Sequence, residues 1–319
     1  MSILLNRASR VLVQGLSGRQ ARTHTGFMRE YGTKVVAGVS PGKGGTEIEG
    51  IANYDSVAGA LQDHEIDISV LFIPAPFVKD AALEAIEHGI PLVVVLAEGV
   101  PHHDTALILE RARLKGVRVI GPNSQGMISP GRAKLGGTGG EKPDKLYSEG
   151  PVGIISRSGG MGGEVGNILT RKNIGQSTFI SIGGDLMIGS GFAELLELFE
   201  ADEETECVVI FGEAGTGHEE EAAELVRRGG FTKPLVALIA GESMESLPKG
   251  MSFGHTSAII ERGLGAPSRK KRLLSEAGVM VAERFAEIPE LVEQALAGAK
   301  TSPNAGAHQG VFDGIDGRN

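Results

Sequence analysis

Short apolar runs rich in valine and isoleucine recur along the chain, separated by stretches of helix length. The first five cover residues 11–13, 34–39, 68–73, 91–96 and 117–120. Runs this short, apolar at successive positions rather than alternating, suit strands buried on both faces of a parallel sheet. Between them, residues 80–88 (DAALEAIEH) put Ala81, Leu83, Ala85 and Ile86 at helical spacing, and residues 105–115 do likewise. A polar stretch with several glycines and prolines, residues 129–150, breaks the series and reads as a connection between domains. The rhythm resumes over residues 152–155, 177–182, 206–211, 234–239 and 279–281, alternating with helices predicted at 192–199 and 219–228. Two consecutive open α/β sheets are therefore expected, with a first domain over 1–130, a linker over 131–150 and a second domain over 151–300. Residues 301–319 show no periodicity and little to bury, and are expected to form a mobile tail.

Composition narrows the function classes. A chain of 319 residues with 41% hydrophobic content can bury two ordinary cores. Its formal net charge of −9 argues against nucleic acid or an anionic membrane as primary partner. The single cysteine, Cys207, lies in the apolar run CVVIF, so neither a disulfide framework nor a thiolate metal cluster is expected. That usage suggests a reducing compartment. No apolar run approaches the ~18–20 residues that span a bilayer. The start, MSILLNRASRVLVQG, lacks the long apolar stretch of a signal peptide, so a cytoplasmic location is expected. Forty-eight glycines are about twice the usual share of roughly 7%. They cluster after the apolar runs, where open α/β sheets place ligand loops.

In the first half, VLVQGLSGRQ reads as strand, tight turn and helix start, with Gly15, Ser17, Gly18 and Gln20 at an anion-binding helix N-terminus. The spacing is G-x-x-G, short of the dinucleotide fingerprint G-x-G-x-x-G. The second strand ends AGVSPGKGG, with Ser40 and Lys43 where NAD-binding units carry an acid for the ribose. A lysine there suits a phosphorylated ribose, as in coenzyme A or NADP. The loops IPAPF (73–77), LAEGVP (96–101) and GPNSQG (121–126) should face the same crevice.

The second half repeats the device. SRSGGMGGE (156–164) joins a strand to a helix and makes an anion cradle suited to phosphate or a carboxylate. IGGDLMIGSGF (182–192) has the same design, and FGEAGTG (211–217) sets Glu213 directly after a strand. In KGMSFGHTSAII (249–260) a glycine-rich loop presents His255 before a helical segment. Two helix N-termini facing one space would stabilise a phosphohistidine, and Glu213 would bond the far ring nitrogen of His255 and fix its tautomer.

With these motifs in order, together with TKPLVALIAG and GHTSAII, residues 1–300 resemble the α subunit of succinyl-CoA synthetase and related nucleoside-diphosphate-forming acyl-CoA synthetases. The resemblance implies a Rossmann-like CoA-binding domain followed by a flavodoxin-like parallel α/β domain. It implies coenzyme A contacts at Ser17, Gly18, Arg19, Gln20, Lys43, Leu96, Ala97 and Glu98, and phosphorylation of His255 with Glu213 as its orienting carboxylate. Asn123, Ser124, Ser156, Ser158, Gly159, Gly160, Gly163 and Gly184 would face acid and phosphate. It further implies an ATP-grasp β subunit, in a heterodimer or α2β2 heterotetramer, that binds ATP or GTP with Mg²⁺, and no metal held by this chain.

The departures from that pattern concern the acid. Succinate-using relatives usually read GPNCPG and SRSGTLTYE, where this chain has GPNSQG and SRSGGMGGE. Gly163 stands where they place a tyrosine beside the substrate, Gly160 replaces a threonine, and a DPIPG-like segment has become DLMIG. The lost ring and hydroxyls predict an acid other than succinate, such as a bulkier, branched or sulfonated one. SRSGGM also resembles the equivalent stretch of ATP-citrate lyase and citryl-CoA synthetases. Succinyl-CoA synthetase proper and a citrate- or malate-type ligase subunit stay open. Two readings of other classes compete: an NADP-dependent oxidoreductase, which gives GHTSAII no role, and a non-catalytic CoA-sensing subunit, which does not need both His255 and Glu213.

Overall fold

The computed structural model describes residues 2–246, 255, 257–260 and 264–301, the last three by backbone alone. The expected tail over 301–319 therefore lies almost wholly outside the described residues.

The first sheet contains β1 (Arg10–Gln14), β2 (Lys34–Val39), β3 (Thr46–Ile48), β4 (Ile51–Tyr54), β5 (Ile68–Leu71), β6 (Leu92–Val95) and β7 (Arg118–Ile120). Its spatial order is β3-β4-β2-β1-β5-β6-β7, parallel except for the β3–β4 hairpin. Strand order reverses beside β1, and a sheet with that reversal opens a crevice there, beyond the carboxyl ends of its strands. The connecting helices are α1 (Arg19–Glu30), α2 (Val57–Asp63), α3 (Val78–Glu87) and α4 (His102–Lys115).

The second sheet contains β8 (Gly126–Ser129), β9 (Ala133–Gly136), β10 (Glu149–Ser156), β11 (Gln176–Ser181), β12 (Cys207–Gly212), β13 (Leu235–Ile239) and β14 (Met280–Ala282). Its order is β14-β13-β12-β10-β11-β8-β9. The five parallel strands follow the flavodoxin-like order, with the reversal beside β10. Helices α5 (Gly159–Thr170), α6 (Phe192–Ala201), α7 (His218–Arg227), α8 (Pro267–Glu276) and α9 (Ile288–Thr301) belong to this half.

The polar stretch expected to be a plain connection does more than connect. β8 and β9 pair antiparallel with each other, and β8 pairs with β11, so the segment widens the second sheet. Thr33 in the first domain receives the Lys134 N–H at 3.0 Å and donates its hydroxyl to the Lys134 carbonyl at 2.7 Å. Val13, Ile120, Met127, Ile180 and Phe192 belong to one contiguous core cluster drawn from both sheets. The two halves are thus packed across a shared apolar seam. Among the described residues no helix is long and apolar enough to cross a membrane.

Candidate functional site

At the reversal beside β1, Gly15 has φ +82°, and a Cβ there would stand 2.4 Å from the carbonyl oxygen of Phe72. Only glycine lets the turn lie that close to the end of β5. Gly18 caps α1 without any side-chain hydrogen bond, and no acidic residue lies in the first turn. The first N–H groups of the helix are therefore open to an anion. Ser17 donates its N–H to the Ser40 hydroxyl at 3.0 Å, which ties the end of β2 to this turn.

Gly15, Ser17, Gly18, Ser40, Pro41 and Phe72 are among the residues lining a cleft of about 560 Å³. Phe77, 64% exposed, offers an aromatic face at its rim. Arg19 and Gln20 begin α1 and are exposed. Lys43 is exposed on the loop after β2, where its carbonyl accepts from Asn53 Nδ2 at 3.0 Å. Uncapped N–H groups, an exposed cation and aromatic and proline faces fit a phosphorylated, ring-bearing ligand such as coenzyme A.

The second constellation surrounds His255. Its Nδ1 lies 2.7 and 2.8 Å from the two carboxylate oxygens of Glu213. The ring rests on Gly184, where a Cβ would come within 2.4 Å of Cγ and Cδ2. The histidine side chain keeps 26% exposure while Glu213 keeps 14%, so the ring is held from below and reachable from outside. The hydrogen bond to Glu213 raises the proton affinity of His255 above the ordinary histidine value, against the opposing effect of burial. Arg157 lowers it and Glu98 raises it. Glu98, expected at the CoA end, thus also acts on the histidine. The rest of the expected loop, residues 247–254 and 256, lies outside the described residues.

Glu213 is itself braced. Its N–H donates to Glu219 Oε1 at 3.0 Å, and its carbonyl accepts from Lys270 Nζ at 2.8 Å. Lys270 and Glu219 are both fully buried and form an ion pair. Arg157, 1% exposed, donates from Nε to Glu213 Oε1 at 3.3 Å and from Nη2 to the Ser257 hydroxyl at 2.6 Å. Sequence reasoning left Arg157, Ser257 and Lys270 out of the site. The arginine was visible inside SRSG, but its partners lie 56 and 100 residues away along the chain.

The remaining expected residues divide by role. Asn123 adopts φ +57° and donates Nδ2 to Asp185 Oδ1 at 2.9 Å, joining the loop after β7 to the loop carrying Gly184. The Ser124 hydroxyl donates to the Ser181 carbonyl at 2.5 Å, and the Ser156 hydroxyl to the Ser158 carbonyl at 2.6 Å, so both are engaged in shaping backbone. Ser158 caps α5 by accepting the Met161 N–H at 3.3 Å. Gly159 supports Gln125, since a Cβ at that glycine would lie 2.4 Å from Gln125 Cβ. Around Gly160 nothing approaches within 4 Å of a Cβ position. At Gly163 the nearest atom is the Tyr147 hydroxyl oxygen, 3.6 Å away. The start of α6 abuts His218, whose Nδ1 is 3.1 Å from a Cβ position at Gly191.

Comparison with known proteins agrees with this geometry. Residues 6–99 match the CoA binding domain, and residues 149–295 match the succinyl-CoA ligase like flavodoxin domain. The chain belongs to the α-subunit family of ADP-forming acid–CoA ligases. It is 44% identical over 296 residues to succinate–CoA ligase [ADP-forming] subunit alpha 2 of Archaeoglobus fulgidus, covering 93% of this chain and 100% of that one. It is 41% identical over 296 residues to an ADP-forming sulfoacetate-CoA ligase subunit of Bilophila wadsworthia, with the same coverage. Among solved structures, ATP citrate lyase from Methanothrix soehngenii, in complex with citrate and coenzyme A, superposes with a TM-score of 0.87 at 26% identity. That match covers 94% of this chain, which spans about half, 51%, of the lyase chain.

Proposed function

We propose that this chain holds coenzyme A in the first-domain cleft and carries a phosphoryl group on His255 for a ligase that joins a carboxylic acid to CoA. The observation that carries the reading is the bond between His255 Nδ1 and both oxygens of Glu213, which leaves Nε2 as the nucleophilic nitrogen. In the synthetic direction Nε2 attacks the γ-phosphorus of ATP or GTP, an Nε2–P bond forms, and the nucleoside diphosphate leaves. The acid's carboxylate then takes the phosphoryl group as an acyl phosphate and frees His255. The CoA thiol, losing its proton, attacks the acyl carbon, and inorganic phosphate departs. The uncapped start of α1 would hold the pyrophosphate of CoA, and Lys43 its ribose phosphate. The nucleotide and its Mg²⁺ would sit on an ATP-grasp β subunit.

For the acid, the open space at Gly160 and the Tyr147 hydroxyl beside Gly163 support a substrate other than succinate. Relatives of similar identity carry the names of succinate and sulfoacetate ligases, which makes both acids direct tests.

The decisive experiment co-expresses the chain with its β partner and supplies labelled ATP and Mg²⁺. Acid-labile label is expected on His255 and is lost in His255→Ala. Label that persists in that variant would remove the mechanism.

A further inference from the structure

Arg157 follows directly on the last residue of β10, and its N–H donates to the Phe211 carbonyl at 3.1 Å. Its guanidinium touches each part of the histidine's surroundings. Nε meets Glu213 Oε1, the carboxylate that binds Nδ1 of His255. Nη2 donates to the Ser257 hydroxyl, two residues after the histidine, and to the Asp185 carbonyl at 3.1 Å. Ser257 in turn donates to the carbonyl of Gly184, the residue beneath the ring, at 2.8 Å. One planar group thereby fixes the carboxylate, the histidine's own segment and the floor on which the ring rests. Among the described residues Nη1 is buried without a partner. A guanidinium kept for stability alone would be expected to satisfy every N–H, because an unpaired buried donor is costly.

We propose that Arg157 is a positioning residue for phosphoryl transfer through His255, holding Glu213 and the Gly184 loop in register with the imidazole. The inference rests on the reading of His255 as the phosphoryl carrier. It assigns two separable effects to one side chain. The first is geometric: the bond from Nε to Oε1 helps hold Glu213 with both oxygens facing Nδ1. The second is electrostatic. Glu213 and Glu98 favour the imidazolium and Arg157 opposes them, while Asp185 is bound to Asn123 and His218 is itself held towards neutrality by burial and by Arg157. An imidazolium has no lone pair for phosphorus, so the arginine keeps more of the ring competent at a given pH.

The test measures label transfer from ATP to the intact α–β complex as a function of pH, for wild type, Arg157→Ala, Arg157→Lys and His255→Ala. CoA binding at the first-domain cleft, which Arg157 does not line, reports that each complex is folded. Arg157→Ala is expected to be labelled about 100-fold more slowly, the scale of a misplaced reacting group. Its acid limb should move to higher pH, and added guanidinium should restore part of the rate. Arg157→Lys keeps the charge but cannot reach three acceptors, so it should be slow with an acid limb near that of wild type. A wild-type rate in Arg157→Ala overturns the proposal. So does a slow rate with an unmoved acid limb and no rescue by guanidinium, which would mark a merely structural role. Failure to label wild type, or label in His255→Ala, overturns the His255 reading instead.

Discussion

Glu213 grips Nδ1 of His255 through both carboxylate oxygens, and that contact decides where the ring titrates. Because the bond raises the proton affinity of the ring, the imidazolium persists above the ordinary histidine value of about 6.5. His255 therefore stabilises the folded state fully below that value, and the contribution is lost as pH rises through the raised pKa. The proposed phosphoryl acceptance would have the opposite sense, since only a neutral ring can attack phosphorus. Labelling should rise with pH through a midpoint above that of an ordinary histidine. Glu213→Gln is expected to move this midpoint down and to lower the plateau rate about 10–100-fold, as the ring loses its orientation. A pH series of single-turnover labelling measures both quantities, and an unmoved midpoint contradicts the assignment. Glu213 was legible in the sequence because it directly follows an apolar strand, and His255 because of its place in a glycine-rich stretch. Arg157 was not, because its importance lies in contacts that span 56 and 100 residues of chain. The helix expected directly after the histidine is not found, since residues 257–260 carry no helix and α8 begins at Pro267.

At the scale of elements, the strands read from apolar runs recur as β1, β2, β5, β6 and β7 in one sheet and β10 to β14 in the other. Most were legible because strands buried on both faces carry near-continuous apolar runs, although β11, QSTFIS, is half polar. The β3–β4 hairpin and the β8–β9 pair were not. Gly-Arg-Ala-Lys-Leu-Gly-Gly, residues 131–137, is too polar and too short to announce a strand, and β9 exists because β8, itself paired to β11, lies beside it. Lys134 shows the consequence: tertiary packing buries its whole side chain, and burial pushes its pKa down to about 8. The braced loop between β12 and α7 gives a measurable case. Lys270 and Glu219 are buried at 0% exposure, and removing one partner leaves the other charge stranded. Lys270→Met should cost about 3–5 kcal/mol in denaturant unfolding. Adding Glu219→Gln should recover part of that loss. A Lys270→Met chain as stable as wild type would show that the pair does not hold this loop.

Across the whole molecule, the two sheets share a seam of apolar side chains, and loops from both meet near His255. The Asn123–Asp185 bond joins the end of the first domain to the loop beneath the histidine. The effect of Glu98 on His255 also crosses the boundary between the domains. The proposed acid site belongs to this scale, because Gly160 and Gly163 would act through the space around them. With the α–β complex and a panel of carboxylic acids, kcat/KM should be at least about 10-fold higher for a bulkier or sulfonated acid than for succinate, the scale of one pocket group. A value for succinate above every other acid would exclude the altered specificity while leaving the phosphohistidine untouched.

The sequence by itself determined the class of fold, the order of the two domains and the glycine turns at the starts of α1 and α5, and it singled out His255 and Glu213 as a pair. Each of these depends on local periodicity or on a motif of a few adjacent residues. Tertiary structure alone decided that the segment around Lys134 completes a sheet and that Tyr147 borders Gly163. It also decided that Arg157 gathers Glu213, Ser257 and Asp185 around one ring. The physical reason is common to all three: burial, hydrogen-bond partners and empty space arise when distant segments meet, and no local pattern in the chain records which segments those are.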